Sequence, residues 1–406
     1  MVYRAAVNFC LQGLNLVSKL VLLILMGRFL SVSDVGLFGL LVVTQNLAMY
    51  GLGLGFSSYS YREILRREPA SIAPLLRDQL VLHALAYLVI LPCLLIIFVL
   101  GVLPWAMAGW FYALLILEHV NQEIQRLFVA LSWTTRATCL LFLRHAAWVY
   151  GLAAIIFAAP DSVGLQTVLG SWTVGEVASL ILASRIYNLP WKPAAAVAID
   201  WCWLRKGLRV ALPLLGSTLA FSGMGMVDRY ALKTYQGSEQ LGVYTFYSYV
   251  RNAIQSLLDI GLWNLYQPRV VAAYQNGDRA EYRRLLRHLL AALGGVATAL
   301  CLLAALLVRP VALITGKSIY LQHLDTFYLV LLLTIVASVV NVPLLALYAR
   351  HRDRLTLALS LFGLSLAGLF NWLFVPVYGL NGAATSTLAA YSLFGAASLW
   401  FLRRER

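Results

Sequence analysis

Residues 79–101 read QLVLHALAYLVILPCLLIIFVLG, a stretch of 23 residues without an Asp, Glu, Lys or Arg side chain. An α-helix needs about 20 residues to cross the hydrocarbon core of a bilayer, so this stretch is long enough to span it. Eleven other apolar stretches reach or approach the same length. We therefore predict an all-α integral membrane protein with about 12 transmembrane helices. The predicted spans are 5–27, 35–58, 79–101, 105–125, 137–159, 164–184, 210–232, 241–267, 288–308, 326–349, 355–376 and 380–402.

The basic residues are distributed unevenly between the two sides that these spans define. Of the 31 Lys and Arg residues, 23 fall on the side that carries both termini. The four on the other side are Arg28, Lys233, Arg309 and Lys317, and the four inside spans are Lys19, Arg144, Arg229 and Arg251. Because basic loops are retained in the cytoplasm, we predict a multi-pass protein with both termini cytoplasmic. The sequence has no Asn-x-Ser/Thr sequon, which favours a bacterial cytoplasmic (inner) membrane.

The composition excludes a soluble protein. Hydrophobic residues make up 61% of the chain, charged residues only 12%, and the mean hydropathy is +0.79. An average soluble domain has about 25% charged residues. The net charge of +14 would suggest a nucleic-acid partner in a soluble protein. Here the basic residues are spread over short loops, as membrane topology and attraction to anionic lipids require, so we expect membrane lipids and no nucleic acid as partners.

Motifs that carry catalytic or cofactor chemistry are missing from the sequence. The five cysteines are scattered and lack metal-ligand spacing, so we expect no metal site, no disulfide framework and no cofactor. Gly51, Gly53 and Gly55 lie in an apolar span rather than in a βαβ unit, and a P-loop is absent, which excludes ATP-driven pumping by this chain alone. Neither a nucleophile–base arrangement nor a large extramembrane loop is present. We therefore predict that the protein is not an enzyme.

The longest polar connection, 185–209, lies at the middle of the chain. It ends in a basic stretch with tryptophans at 201 and 203, a composition that suits a segment lying at the membrane interface. We therefore predict an N-terminal six-helix lobe (1–187), a cytoplasmic interfacial linker (188–209) and a C-terminal six-helix lobe (210–406).

The two halves contain a related stretch. Gly36-Leu37-Phe38-Gly39 aligns with Gly242-Val243-Tyr244-Thr245 at an offset of 206 residues, which pairs the second span with the eighth. Internal repeats of this kind are usual in secondary transporters, whose substrate path lies between the repeats. A shared helix-capping pattern is the alternative explanation.

Two spans carry polar side chains along one face. In the first span the four polar residues fall within an arc of about 60° on a helical projection, and in the eighth span six fall within about 100°. Polar groups in hydrocarbon face a hydrated cavity or a protein partner, so each face either lines a path or forms hydrogen bonds between helices. We favour a lining role for both faces. The residues are Asn8, Gln12, Asn15 and Lys19 in the first span, and Tyr244, Ser248, Arg251, Asn252, Gln255 and Asp259 in the eighth.

Other charged residues also fall inside spans. Glu118 in the fourth span and Arg144 in the fifth are candidates for a buried ion pair, which would be a structural use of charge. Glu176 lies in the middle of the sixth span. Asp228 and Arg229 lie toward the outer end of the seventh, where they would form either an interfacial anchor with a snorkelling Arg or part of an outer mouth.

Several stretches, in this order and spacing, resemble O-antigen-type polysaccharide flippases of the multidrug/oligosaccharidyl-lipid/polysaccharide superfamily. The resemblance covers residues 5–400 and includes no strict catalytic motif. The stretches are Gly27-Arg28 with Leu30-Ser31-Val32-Ser33-Asp34-Val35-Gly36-Leu37-Phe38, Gly53-Leu54-Gly55-Phe56 with Tyr61-Arg62-Glu63-Ile64, Ala211-Leu212-Pro213-Leu214-Leu215, Asp228-Arg229-Tyr230, Leu241-Gly242-Val243-Tyr244, and Gly379-Leu380-Asn381-Gly382-Ala383-Ala384.

The resemblance implies two six-helix lobes arranged as a V around a central cavity, working by alternating access. It implies as substrate a lipid-linked oligosaccharide, an O-antigen or exopolysaccharide repeat unit carried on undecaprenyl pyrophosphate. It also implies a polysaccharide polymerase and chain-length proteins as partners. The peptidoglycan-precursor flippases of the same superfamily usually carry two more spans, so their substrate is not expected here.

Roles follow from this substrate and from the buried polar residues. Unpaired cations attract a pyrophosphate, amides and a tyrosine suit sugar hydroxyls and rings, and buried carboxylates suit H⁺ or Na⁺ coupling. We assign Lys19, Arg144, Arg251, Arg28 and Arg229 to the pyrophosphate; Asn8, Gln12, Asn15, Tyr244, Asn252 and Gln255 to the sugars; and Glu118, Glu176, Asp259 and Asp228 to ion coupling.

Three other functions are consistent with the class of protein. Export of a cationic drug is disfavoured because buried cations are about as numerous as buried acids. A membrane glycan polymerase or ligase would need extramembrane loops that this chain lacks. A non-transporting assembly scaffold would tolerate removal of the charges at Lys19 and Arg251.

Overall fold

The computed structural model describes residues 2–64, 72–160, 163–186 and 197–404, and these residues form helices and no β-strand. The helices of the first half are α1 (Val2–Phe29), α2 (Val32–Gly53), α3 (Ser57–Ile64), α4 (Ile72–Cys93), α5 (Ile96–Val99), α6 (Ala108–Ala130), α7 (Thr134–Phe142), α8 (Trp148–Ala158) and α9 (Leu165–Ile186). Those of the second half are α10 (Trp201–Met224), α11 (Val227–Leu258), α12 (Asn264–Gln275), α13 (Arg279–Thr315), α14 (Ile319–Gln322), α15 (Leu324–Ala349) and α16 (Asp353–Arg404). Two π-helical segments, Leu143–Ala147 and Asp259–Trp263, join α7 to α8 and α11 to α12.

The helices account for the twelve predicted spans. Nine helical stretches among the described residues are long and apolar enough to cross a membrane. Two of them, Trp201–Gln275 and Asp353–Arg404, each contain two predicted spans. The remaining predicted span, 105–125, corresponds to α6, in which a polar face lowers the hydropathy. The prediction of an all-α membrane protein is confirmed.

The structure shows where the predicted spans begin, end and bend. α11 and α16 turn at Gly237 (φ 85°) and Gly379 (φ 54°), a left-handed backbone conformation that glycine adopts without a steric cost. The predicted span 79–101 is interrupted between α4 and α5, just after Pro92, which cannot donate a backbone hydrogen bond to the helix.

The described chain divides into two compact units. The first unit contains Met1–Val21 and Leu41–Leu215, and the second contains Leu22–Leu40 and Gly216–Arg406. The end of α1 and the start of α2 therefore pack with the second unit, and most of α10 packs with the first. Residues 188–196 of the predicted linker lie outside the described residues, and the six-plus-six lobe boundaries remain a prediction.

The start of α10 is an amphipathic segment of the first unit. Asp200 caps the helix, since its Oδ1 accepts the backbone N–H of Trp203 at 2.9 Å. Trp203 and Leu204 are buried while Arg205 is exposed. The Trp203 ring packs edge-on against Phe56 with centroids 5.1 Å apart. This is the stretch for which the sequence predicts an interfacial segment, and its apolar face is covered by the rest of the first unit.

In the second unit, α2 and α11 cross at two glycines with no space for a side chain. A Cβ atom at Gly36 would lie 2.8 Å from the Gly242 nitrogen, and one at Gly242 would overlap the Val32 carbonyl oxygen. One turn further along α2, a Cβ at Gly39 would overlap the Thr245 side chain. The two contacting pairs, Gly36 with Gly242 and Gly39 with Thr245, are each separated by the offset of 206 residues. Equivalent positions of the internal repeat therefore face each other, as in an isologous contact.

We predict that Gly242→Ala destabilises the protein strongly, because its new Cβ would meet backbone rather than a movable side chain. Overpacking costs roughly 1–3 kcal/mol, and a backbone clash belongs at or above the top of that range. The measurement is the apparent melting temperature of the detergent-solubilised protein. Gly295→Ala is the control, since nothing lies within 4 Å of the position of its Cβ. Equal melting temperatures for the two variants would contradict the close crossing.

Candidate functional site

The polar face of α1 lies in the first unit and holds buried amide atoms without partners. Asn8 Oδ1 and both side-chain polar atoms of Asn15 are buried and have no hydrogen-bond partner among the described residues. Gln12 is exposed. Unsatisfied amides in an apolar environment are costly, so this face needs water or a ligand. The lining role of this face stays a prediction.

The π-helical segment Leu143–Ala147 carries the central cation of the first unit. Arg144 is only 4% exposed, and its Nη2 lies 3.1 Å from Glu118 Oε1, which confirms the predicted ion pair. Arg144 Nε lies 3.1 Å from His145 Nε2. Its Nη1 has no hydrogen-bond partner in the described part of the chain. One nitrogen of this buried guanidinium is therefore left for another acceptor.

A second carboxyl group lies beside this pair. Glu176 on α9 is fully buried, and its Oε2 accepts a hydrogen bond from Asn121 Nδ2 at 2.7 Å while Oε1 accepts from Trp172 Nε1 at 3.2 Å. Glu176 and Glu118 interact electrostatically, so the two carboxyl groups belong to one buried group of charges.

Lys19 of α1 joins the same group of charges. It lies within electrostatic range of His145, and the neighbouring Ser18 Oγ donates to the His145 carbonyl oxygen at 3.4 Å. The structure thus brings together four residues that the sequence assigns to different roles. They are Lys19, Glu118, Arg144 and Glu176, which we call the first-unit charge cluster.

A cavity of about 700 Å³ in the first unit adjoins the cluster. Arg144 and Arg126 line it, and no carboxylate is among the described lining residues. The others are Tyr61, Gln122, Gln125, Val129, Ala130, Ser132 and Leu141. Arg126 Nη1 also binds Glu123 Oε1 at 2.7 Å. Two guanidinium groups and two amides around an acid-free space form a site that suits an anion.

Tyr61 on α3 adds a hydrogen-bond donor at the rim of this cavity. Its hydroxyl donates to Glu123, with Oε2 at 3.0 Å. Burial and the negative charge of Glu123 raise the pKa of Tyr61 well above its ordinary value, so the hydroxyl stays protonated at neutral pH.

In the second unit, Asp228 and Arg229 are buried rather than interfacial. Arg229 Nη1 lies 3.5 Å from Asp228 Oδ1 and donates to the Gly225 carbonyl oxygen at 2.8 Å. Asp228 Oδ2 accepts from the Tyr244 hydroxyl at 2.6 Å and from Thr387 Oγ1 at 3.3 Å. Arg229 is therefore not a snorkelling anchor, because protein covers both charges, and its assignment to an outer mouth stays a prediction. Tyr244 is also covered, so its ring is not open to a sugar in this structure.

The other predicted site residues of the eighth span, and Arg28 of α1, have fewer contacts than Asp228 and Arg229. The Arg251 guanidinium lies 6.0 Å from the centre of the Tyr391 ring, and Arg251 is half-buried. Asn252 is exposed. Gln255 Nε2 donates to Asp259 Oδ1 at 3.0 Å, where the second π-helical segment begins. Arg28 is exposed, 5.6 Å from the Phe29 ring.

Two features of the site were missed in the sequence. Asn121 binds the buried Glu176, and its spacing of three residues from Glu118 places both on one face of α6. The cavity itself depends on how α3, α6 and α7 pack.

The part of the chain that the structure describes holds no group of three or more His, Cys, Asp or Glu side chains suited to a metal ion.

We predict that Glu118→Ala destabilises the protein by about 3–5 kcal/mol, because it leaves the buried Arg144 without a counter-ion. The double variant Glu118→Leu with Arg144→Met should recover most of this loss, since a buried pair can be replaced by apolar residues at little cost. Thermal unfolding in detergent is the measurement. Glu281→Ala, which removes the partner of the exposed Arg284, is the control and should cost at most about 1 kcal/mol. Equal losses for the two single variants would show that the Glu118–Arg144 pair is not desolvated.

Comparison with known proteins gives a family and a fold. A profile of the family described as polysaccharide biosynthesis protein matches residues 3–260. No curated protein matches the chain significantly. Among solved structures, the inward-facing conformation of a multidrug resistance MATE family transporter of the MOP superfamily aligns with a TM-score of 0.75 at 15% identity, covering 99% of this chain and 97% of that chain. Its outward-facing conformation gives 0.64 at 16%, covering 98% and 93%.

A MOP superfamily transporter from Pyrococcus furiosus also aligns, with a TM-score of 0.65 at 16% identity, covering 99% of this chain and 94% of that chain. Its structure is described with the words "reverse polarity of binding pocket suggests different function". At these identities the likeness establishes the fold alone. The fold is that of the MOP-superfamily transporters.

Proposed function

Because the chain belongs to the polysaccharide biosynthesis protein family, we propose that it is a flippase for a lipid-linked oligosaccharide. Its substrate is an O-antigen or exopolysaccharide repeat unit carried on undecaprenyl pyrophosphate, which crosses from the inner to the outer leaflet of a bacterial cytoplasmic membrane. The single observation that carries this proposal is the cavity of the first unit, which Arg144 and Arg126 line and which has no carboxylate among its described lining residues.

The cavity favours an anion for an electrostatic reason. A pyrophosphate carries its charge into an environment where water screens little, so attraction by nearby guanidinium groups is strong there. Arginine donors also match phosphate oxygens in bidentate geometry. A cationic drug would meet Arg126 and Arg144 with no carboxylate among the described lining residues, so this cavity opposes drug export.

Arg144 links the cavity to the buried carboxyl groups. Its Nη2 binds Glu118 while its Nη1 lacks a partner among the described residues, so an anion bound to Nη1 would share one guanidinium with Glu118. Binding of a phosphate would weaken the hold of Arg144 on Glu118, and repulsion between Glu118 and Glu176 would then favour uptake of a cation by the two carboxyl groups. We propose that substrate binding and uptake of H⁺ or Na⁺ are coupled through this competition, as part of an alternating-access cycle.

The unsatisfied amides of α1 provide a second contact in the same unit. Asn8 and Asn15 present buried polar atoms without described partners, and Lys19 lies near His145. Amide groups donate and accept hydrogen bonds, as sugar hydroxyls require. We propose that this face of α1 contacts the first sugars while the arginines hold the pyrophosphate.

We predict that Arg144→Lys and Arg126→Gln each lower transport by about tenfold at equal protein abundance, which corresponds to the loss of a charge-assisted hydrogen bond worth roughly 1.5–3 kcal/mol. Lys retains a charge for Glu118 but lacks the second donor group. After Arg126→Gln, Glu123 still accepts from Tyr61 and Gln79.

The measurement for these variants is surface polysaccharide in cells that express each of them at the same level. The matched control is Arg136→Gln, an exposed arginine that stacks over Trp133 and does not line the cavity. A normal amount of polysaccharide with both cavity variants would show that the cavity does not hold the substrate.

We predict that deletion of the gene causes one complete undecaprenyl-linked repeat unit to accumulate on the inner leaflet. Mass spectrometry of extracted glycolipids identifies the lipid, and its accessibility to a membrane-impermeant reagent in spheroplasts identifies the leaflet. Sensitivity to cationic drugs is measured in the same strain. An unchanged glycolipid pool together with increased drug sensitivity would overturn the flippase proposal in favour of drug export.

A further inference from the structure

The second unit contains a separate cavity of about 230 Å³ whose chemistry differs from that of the first. Three aromatic residues form part of its wall: Phe221 from α10, Trp263 at the end of the second π-helical segment, and Tyr348 from α15. No Asp, Glu, Lys, Arg or His is among its described lining residues. The polar groups are neutral amides and hydroxyls, including those of Gln267 and Asn341.

We infer that this cavity is a binding subsite for one neutral sugar ring of the substrate. Sugar hydroxyls both donate and accept, which matches amide and hydroxyl side chains, and the apolar face of a sugar ring packs on an aromatic ring. A phosphate would find no cation here, and a drug cation would find no carboxylate among the lining residues. The inference rests on the proposed flippase function and adds the part of the substrate that this cavity recognises.

The polar groups of this cavity have spare hydrogen-bonding capacity. Ser360 is 1% exposed, and its Oγ has no hydrogen-bond partner in the described part of the chain. The side chains of Gln267 and Asn341 likewise form no hydrogen bond to another described residue, and both are half-buried. A buried hydroxyl without a partner is costly, and a sugar hydroxyl in the cavity would satisfy it.

The aromatic wall is held in place by the rest of the second unit. Phe221 packs on Tyr391 and Phe394, with centroids 6.0 and 5.8 Å away. Trp263 lies in a π-helical segment, a local insertion that proteins use to aim a side chain and that often marks a functional position. The π-helical segment of the first unit carries Arg144, which also lines a cavity.

The size of the cavity fits a single ring. Sites for drug-sized ligands measure roughly 300–1,000 Å³, so a cavity of about 230 Å³ takes a smaller group. A monosaccharide within an oligosaccharide is such a group. The cavity would therefore determine which sugar is accepted at one position of the repeat unit, while the arginine-lined cavity holds the charged anchor whatever the sugar.

The test compares two lipids that differ only in the sugar. One is sugar-free undecaprenyl pyrophosphate, and the other is the undecaprenyl-linked oligosaccharide that accumulates in cells lacking this chain. Binding of each to the purified full-length protein in nanodiscs is measured by equilibrium titration. We expect Trp263→Ala and Asn341→Ala to weaken binding of the glycolipid by about tenfold and to leave binding of the sugar-free lipid unchanged.

Three controls make the result specific. Trp400→Ala and Asn264→Ala replace exposed residues of the second unit and should bind both lipids as the wild type does. Arg144→Lys should weaken binding of both lipids alike. Size-exclusion profiles establish that each variant is folded.

Two outcomes would overturn the inference in different ways. If the wild type binds both lipids but the Trp263 and Asn341 variants weaken them equally, or not at all, the cavity is not a sugar subsite and the flippase proposal stands. If the wild type binds neither lipid, the flippase proposal fails and this inference fails with it.

Discussion

The cost of removing a polar group from water controls every level of this structure. In hydrocarbon a backbone N–H or C=O must find a partner within its own segment or a neighbouring one, and for these described residues the helix is the solution throughout. The same cost explains where the chain departs from straight helices. Breaks fall at glycines that adopt a positive φ without strain, such as Gly237 and Gly379, and at two π-helical segments that remain within helical hydrogen bonding.

Charges inside the spans obey the same constraint, and what they leave unsatisfied indicates function. The Asp228 carboxylate contacts Arg229, Tyr244 and Thr387, so its charge is compensated within the second unit. Arg144 has a counter-ion in Glu118, which stabilises it in the apolar interior, while its Nη1 has no hydrogen-bond partner among the described residues. A guanidinium with an unused donor can bind a further acceptor without losing the first.

Much of the fold and part of the site follow from the sequence. Nine helical stretches among the described residues, which cover eleven of the twelve predicted spans, are long and apolar enough to cross a membrane, because length and apolarity identify most membrane helices. The Glu118–Arg144 pair was predictable, because a charge inside the membrane is stabilised by an opposite charge at a similar depth. The burial of the Asp228–Arg229 pair was not, since one partner of the Asp228 carboxylate is Thr387, which lies 159 residues away in the chain. The π-helical segments were not predictable either, because one inserted residue leaves the apolar pattern of a buried span unchanged.

The stretches that align at an offset of 206 residues meet at the crossing of α2 and α11. There Gly36 and Gly242 occupy aligned positions, and backbone contact fixes both as glycine. The two π-helical segments are not aligned in this way, since Leu143–Ala147 lies in the fifth predicted span and Asp259–Trp263 in the eighth. One places an arginine and the other a tryptophan at a cavity, so the described lining of the first cavity presents cations and that of the second presents neutral and aromatic groups. The two cavities differ in charge because different helices line them, and the substrate that we propose, a charged anchor joined to uncharged sugars, would use both kinds of surface.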